Sequence, residues 1–313
     1  MKIPKRIGII INPASGNDDW KKAERLIKET FPFDSRKLKI IKGKEVYDFS
    51  CHLLDWASLI ILVGGDGSLN SLAQAIFDKR ENLKILFVPT GTANDMAYNL
   101  KLPEIMENNL FLAFESKAKN VDLGVVKTRN NTQVFVNSFG LVASVEIIKK
   151  FKQLKEKYPK PLAYLFTALS IFKNGFSDPK ITIEMEFEKS LHQQTRKRTS
   201  VCLLGNGVRS GKFFKVTPEA DLSDGFLDFC FMSKMLRVSM PEYLLGYMTG
   251  IHKFKKRVLT FDDHLPQIKG LKVELEKPKE YQIDGDVMAP EKKFSVNILE
   301  QRLKFLVPEE ELN

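Results

Sequence analysis

The sequence predicts an α/β domain with a parallel sheet over residues 1–121, followed by a β-rich domain over 122–299. The tail, about 300–313, is free to pack back onto the first domain. Three observations predict this. At 313 residues the chain is too long for one average domain and comfortable for two. In the first third, compact apolar runs end in turn formers and lead into helix-spaced apolar residues. Beyond about Val121, short strand-like runs take over.

The first run, Arg6–Asn12, ends in Asn12-Pro13-Ala14-Ser15-Gly16-Asn17 and leads to Trp20, Ala23, Leu26, Ile27 and Phe31 at helical spacing. The second, Leu59–Val63, ends at Gly64-Gly65-Asp66-Gly67-Ser68 before Leu69, Leu72, Ala73, Ile76 and Phe77. The third, Ile85–Val88, ends at Pro89-Thr90-Gly91-Thr92 and again precedes a helix. Strands that are apolar throughout, each followed by a helix, indicate a parallel sheet covered on both faces. In such sheets ligands bind at the carboxyl ends of the strands, where these three loops converge.

The second domain is expected to contain strands at Val121–Lys127, Gln133–Phe139, Lys180–Phe187, Ser200–Leu204, Phe226–Met232, Leu271–Leu275, Glu280–Ile283 and Phe294–Ile298. Helical pattern interrupts them around Leu141–Lys173 and Glu242–Phe254. There is no internal repeat and no low-complexity linker.

Composition narrows the classes of function. A hydrophobic fraction of 43% supports ordinary packed cores. No apolar run approaches the roughly 18 residues of a membrane span. Met1-Lys2-Ile3-Pro4-Lys5-Arg6 is followed by no small-residue cleavage site, so a cytoplasmic protein is expected. Cys51, Cys202 and Cys230 form neither a disulfide framework nor zinc spacing, and the latter two lie in apolar stretches (SVCLL, FLDFCFM) that suit buried thiols. The four histidines show no ligand spacing. A net charge of +10 favours anionic partners, without choosing among nucleic acid, anionic lipid and a phosphorylated ligand.

The loop Gly64–Ser68 could let backbone approach a polyphosphate closely, with helix N–H groups beyond it facing the anionic oxygens. An aspartate in the middle of such a turn would repel phosphate unless a cation or proton acceptor were wanted, which favours a Mg-nucleotide. An ordinary tight βα turn remains the alternative. Pro89–Asp95 repeats the pattern of glycine, hydroxyls and carboxylate at a strand-to-helix junction, although Asn94 or Asp95 could equally be a helix cap. Gly65, Gly67 and Asn70 fail the dinucleotide pattern at its last position. Gly207–Phe213 has one residue too few between its glycines for a P-loop, and no hydroxyl residue after Lys212.

VGGDGSLN (Val63–Asn70) and VPTGTANDMA (Val88–Ala97) resemble the two nucleotide-loop signatures of the diacylglycerol kinase catalytic domain. That family is related to sphingosine and ceramide kinases and, more distantly, to NAD kinases. Asn12–Gly16, Val121-Asp122-Leu123-Gly124, Thr217–Gly225 and Ile283-Asp284-Gly285-Asp286 continue the resemblance in the family's order through nearly the whole chain. The resemblance implies ATP binding by Asn12, Ser15, Gly64, Gly65, Asp66, Gly67, Ser68, Thr90, Gly91, Thr92 and Asn94. It implies Asp66 and Asp95 as organisers of catalytic Mg²⁺, and a structural Mg²⁺ at Asp221, Asp224 and the Phe226 carbonyl. Hard oxygen ligands suit that ion, while a tight turn between strands is the alternative. The family's general base is a glutamate where this chain has Asp286, one methylene shorter. A plain hairpin turn at Asp284-Gly285 is the other reading there. The threonine-containing segment of relatives has no clear match in Leu38–Val46.

The implied function is an ATP-dependent lipid kinase acting on diacylglycerol or a related lipid, feeding phospholipid metabolism from the inner membrane surface. Lys149, Lys150, Lys152, Lys155, Lys157 and Lys160, with Phe151, Leu154 and Tyr158 among them, and the run His252–Arg257 suit an anionic membrane surface; a solvated helix face is the alternative. Asp66→Ala is expected to abolish phosphoryl transfer and leave the fold intact. Competing readings are an NAD kinase-like enzyme and a decayed, nucleotide-sensing membrane-associated protein. A nucleic-acid binder explains the charge but none of the aspartate-bearing loops. Oligomeric state stays open, a homodimer included.

Overall fold

The structure, a computed structural model, describes residues 6–16, 18–31, 38–77, 83–114, 117–187, 192–233, 240–251, 258 and 265–312. Contacts divide the chain into two compact units: Met1–Leu123, Leu222–Asp224 and Leu299–Asn313 form the first, and Gly124–Asp221 with Gly225–Ile298 the second.

The first unit alternates strand and helix: β1 Ile7–Ile11, α1 Asp19–Thr30, β2 Leu38–Lys42, α2 Val46–Leu54, β3 Leu59–Gly64, α3 Asp66–Ile76, β4 Lys84–Pro89, α4 Asp95–Asn99 and α5 Met106–Phe111. Its strands run in the order β2-β1-β3-β4, with Ile9 beside Ile40 and Ile61, and Ile61 beside Leu86. All these ladders are parallel. β1 and β3 are buried along their whole length, so their side chains leave water on both faces of the sheet. Each such Ile or Leu contributes roughly 1.5–3 kcal/mol. α1 turns Ala23 and Ile27 inward, and α3 turns Leu69, Leu72, Ala73 and Ile76 inward, the helical spacing expected.

The second unit contains the end of β5 (Ala118–Lys127), then β6 Thr132–Phe135, β7 Ser138–Val142, α6 Ala143–Lys155, α7 Lys160–Asn174, β8 Lys180–Glu186, β9 His192–Gly205, β10 Leu227–Ser233, α8 Met240–Thr249, β11 Gln267–Ile268, β12 Gly270–Ile283 and the first part of β13, Asp286–Leu306. The ladders among these strands are antiparallel. Phe139, Tyr281 and Phe294 form the centre of its core, with ring centroids 5.1–6.1 Å apart. Gly124 of the VDLG run lies under Phe135: a Cβ there would sit 2.1 Å from the ring.

Several elements differ from expectation. A parallel sheet describes the four strands above and the end of β13, which joins β4 in parallel through Lys304 and Phe305; the second unit's ladders given above are antiparallel. β2 and α2 carry no element read from sequence; β2 (LKIIK) breaks its apolar pattern with lysines and, among the described residues, pairs with β1 alone. Gln133–Phe139 is two strands, because the amides of Val136, Asn137 and Ser138 are drawn to the Asp284 carboxylate instead of a ladder. Leu271–Leu275 and Glu280–Ile283 are one strand whose register shifts between Glu274 and Tyr281. The basic run His252–Arg257 lies outside the described residues.

Candidate active site

The three loops at the carboxyl ends of β1, β3 and β4 pack on one another within the first unit. Backbone bonds set their spacing: Asn12 N–H donates to Val63 O (2.9 Å) and Thr90 N–H to Gly64 O (2.8 Å). Asn12 Nδ2 donates to Ser68 Oγ (2.8 Å), while its Oδ1 accepts from Ala14 N–H (3.0 Å). The glycines are needed for this approach. A Cβ on Gly91 would lie 2.6 Å from the Gly65 Cα, and one on Gly16, whose φ is +69°, would lie 1.7 Å from the Thr90 oxygen.

Asp66, first residue of α3, sits where a carboxylate offsets the helix's partial positive charge. Its Oδ2 accepts from Asp95 N–H (3.2 Å) and its Oδ1 from Met96 N–H (3.1 Å). Asp66 therefore ties the second loop to the third and caps α4. Asp66→Ala would also strip α4 of its cap acceptor, a cost in stability of about 0.5–2 kcal/mol.

The third loop holds Thr90, Asn94 and Asp95 in from solvent, with Gly91 half-buried and Thr92 exposed. Asn94 takes a left-handed conformation, and its Nδ2 donates to Gly91 O (3.1 Å). Among the described residues, buried Thr90 Oγ1 and Asn94 Oδ1 have no hydrogen-bond partner. Buried polar atoms left unmatched in this way fit a bound polar ligand. Oxygen donors of this kind, with the carboxylates of Asp66 and Asp95 on the same two loops, are the chemistry Mg²⁺ prefers. Among the described residues no three His, Cys, Asp or Glu side chains gather in one place, so Mg²⁺ here would complete its shell with phosphate and water oxygens.

Asp286 belongs to the second unit. It follows the turn Asp284-Gly285, where both residues have positive φ (45° and 88°), the conformation of a two-residue hairpin. So the hairpin reading of Asp284-Gly285 describes the local backbone. Asp286 is exposed, and its Oδ1 accepts from Lys152 Nζ on α6 at 3.1 Å. Asp284, which sequence reasoning left as a turn residue, accepts three amides: Val136 (2.7 Å), Asn137 (2.9 Å) and Ser138 (2.8 Å). Around it, Asn137 Nδ2 donates to Arg209 O (2.6 Å), and Ser138 Oγ lies 3.1 Å from Ser210 Oγ. The rejected P-loop look-alike is thus packed beside the Asp-Gly-Asp turn. No local signal in the sequence reveals that pairing.

Asp122 of the VDLG run is fully buried. Its N–H donates to Leu222 O (2.7 Å) and its Oδ1 accepts from Gln301 N–H (2.6 Å), which binds residues 222–224 and the tail to the first unit. Asp221 and Asp224 are exposed and Phe226 half-buried, in the turn preceding β10. Cys202 and Cys230 are buried, and burial pushes both thiols up to about 12.

Residues 6–126 match the family model of the diacylglycerol kinase catalytic domain. A diacylglycerol kinase of Staphylococcus epidermidis is 23% identical over 323 residues, covering 99% of this chain and 94% of its own. One from Staphylococcus carnosus is 25% identical over 256 residues, 79% of each chain. In fold, the chain is similar to the crystal structure of a candidate diacylglycerol kinase from Bacillus anthracis, with a TM-score of 0.75 at 18% identity over 99% of both chains. Over residues 6–126, then, the chain is similar to the diacylglycerol kinase catalytic domain, and over nearly its whole length it shares the fold of the Bacillus anthracis protein.

Proposed function

We propose that the chain is an ATP-dependent lipid kinase that transfers the γ-phosphoryl group to a hydroxyl of diacylglycerol or a related lipid. The observation that carries this reading is the three-loop junction, where glycines without room for a Cβ meet Asp66, Asp95 and the unmatched Thr90 and Asn94 oxygens. In this scheme the amides of the Gly64 and Thr90 loops hold the phosphates, with Asn12, Ser15, Ser68 and Thr92 completing the nucleotide contacts. Mg²⁺ bound with ATP would offset charge on the phosphate oxygens. The lipid oxygen forms its bond to Pγ, the bond from Pγ to the bridging oxygen breaks, and ADP leaves. The hydroxyl proton passes to the Asp286 carboxylate. Asp221, Asp224 and the Phe226 carbonyl are the proposed ligands of a second, structural Mg²⁺.

A lipid substrate also agrees with α7. Leu162, Leu165, Leu169 and Phe172 follow one another at spacings of three and four, on one face, and are 43–53% exposed. Lys155, Lys157, Lys160 and Lys173 flank them. An exposed apolar stripe with basic flanks suits peripheral contact with an anionic, cytoplasm-facing bilayer surface. Among the described residues no helix is long and apolar enough to cross a membrane.

The test is radiolabelled phosphate transfer from ATP to a panel of lipids in mixed micelles, with NAD as a soluble competitor acceptor and Asp66→Asn as control. Labelled lipid that depends on Asp66 is expected; labelled NAD and unlabelled lipid would overturn the reading. A second reading, a nucleotide sensor without turnover, is favoured by the exposed Asp286 standing where relatives place glutamate. ATP binding with no acceptor labelled selects it.

A further inference from the structure

Two ion pairs tie α6 to the hairpin that carries the candidate base. Lys149 Nζ lies 2.7 Å from Glu280 Oε2 on β12, and Lys152 Nζ, one turn later, lies 3.1 Å from Asp286 Oδ1 on β13. The turn between those strands cannot drift to accommodate them, because Asp284 is bound to three amides and its own N–H donates to Ser138 O at 3.0 Å. Asp286 therefore hangs from a fixed backbone on a short side chain, with its carboxylate turned toward α6.

That ion pair is easily exchanged. The Lys152 and Asp286 side chains are 45% and 60% exposed, so water screens them and other anions can reach the ammonium group. Lys152 also stands in a basic stretch, among Lys149, Lys150, Lys155, Lys157 and Lys160, with Glu156 as the single acid from 147 to 175. Such a stretch gathers anionic headgroups. Phe151 stacks on Tyr164 of α7 at 4.2 Å, and Tyr164 meets Phe213 edge-on at 5.2 Å, so aromatic contacts join α6, α7 and the loop beside Asp284.

We propose that Lys152 is a lipid-sensitive latch: it holds Asp286 in the protein away from membranes and gives it up to anionic headgroup phosphates when α7 rests on a bilayer. Released, the Asp286 carboxylate is free to accept the proton of the acceptor hydroxyl. The inference rests on the lipid-kinase reading and on Asp286 as its base.

The experiment compares wild type, Lys152→Met and Lys152→Arg at saturating vesicles in which diacylglycerol is constant and phosphatidylcholine is replaced stepwise by phosphatidylglycerol. Wild type and Lys152→Arg should gain turnover as the anionic fraction rises. Lys152→Met should start ~2–5-fold higher on neutral vesicles, the factor corresponding to a surface ion pair, and respond weakly to anionic lipid. A Lys152→Met profile parallel to wild type, or uniformly lower with the same slope, overturns the latch. A second readout needs no catalysis: zero-length carbodiimide cross-linking of the Lys152 amine to the Asp286 carboxylate should proceed in wild type without membranes and fall on adding phosphatidylglycerol, but not phosphatidylcholine, vesicles that lack diacylglycerol. Cross-linking that falls while no lipid is ever phosphorylated sinks the kinase reading and keeps the lysine exchange; turnover with cross-linking that never responds to anionic vesicles sinks the latch alone.

Discussion

Asp66 and Asp284 do the same job in the two units. Each is an aspartate whose carboxylate accepts backbone amides from a distant stretch of chain, two in the first case and three in the second. Their surroundings differ. Around Asp66 the loops touch backbone to backbone: a Cβ on Gly91 would lie 2.6 Å from the Gly65 Cα, and one on Gly65 would be tight at 3.0 Å from the Gly91 Cα. Around Asp284 the turn is open, and a Cβ on Gly285 would meet nothing within 4 Å. The first arrangement is a fixed cradle suited to an invariant ligand such as a triphosphate. The second fixes the backbone and leaves the next carboxylate, Asp286, adjustable.

The contrast can be broken at several points. The largest effect is expected at Asp66. Asp66→Asn keeps an acceptor for the α4 cap but loses the charge, and should lower phosphoryl transfer by at least ~10³-fold with a small change in melting temperature; Asp66→Ala should add a clear loss of stability. Near-normal transfer by Asp66→Asn would remove the cradle's chemical role. Next comes Asp284→Ala, which orphans three amides and should cost about 3 kcal/mol or more in urea unfolding. A cost below about 1 kcal/mol would show that water replaces the carboxylate and that the turn is not fixed by it.

Gly91→Ala and Gly285→Ala then separate the crowded loop from the open one. The first forces the Gly65 and Thr90 loops apart and should weaken ATP binding by ~10-fold or more in calorimetry, in line with overpacking costs. The second meets only the strain of a positive φ, about 1 kcal/mol of stability, with ATP affinity unchanged. Equal losses of affinity would erase the distinction. The smallest effect concerns thiols. With their pKa raised to about 12 by burial, Cys202 and Cys230 stay protonated at pH 8 and should resist iodoacetamide until unfolding, whereas half-buried Cys51 of the first unit reacts in the native state. Fast labelling of all three in native protein would contradict the packing of the second unit.

The cradle was legible in the sequence because its signal is local. Ile7–Ile11, Leu59–Val63 and Ile85–Val88 are apolar runs since both faces of their sheet are covered, and each leads into turn-forming residues. The second unit was less legible. β12 passes through Lys277 and Lys279, which hid the continuity of one long strand. Asp284 looked like any aspartate before glycine, since its partners lie 146–148 residues away. Lys152 was one of several lysines on a basic helix, and only the fold sets it against Asp286.

The closing strand of the first unit has a consequence for synthesis. β4 gains its outer partner from Lys304 and Phe305, which leave the ribosome long after β4 itself. Until then the nascent first unit exposes an open strand edge made of Ile85, Leu86, Phe87 and Val88, a template for pairing with other chains. Cotranslational folding of the cradle is therefore incomplete until the whole second unit has been made. Chains cut short before residue 303 should accumulate as aggregates or chaperone clients, even with every nucleotide-loop residue in place.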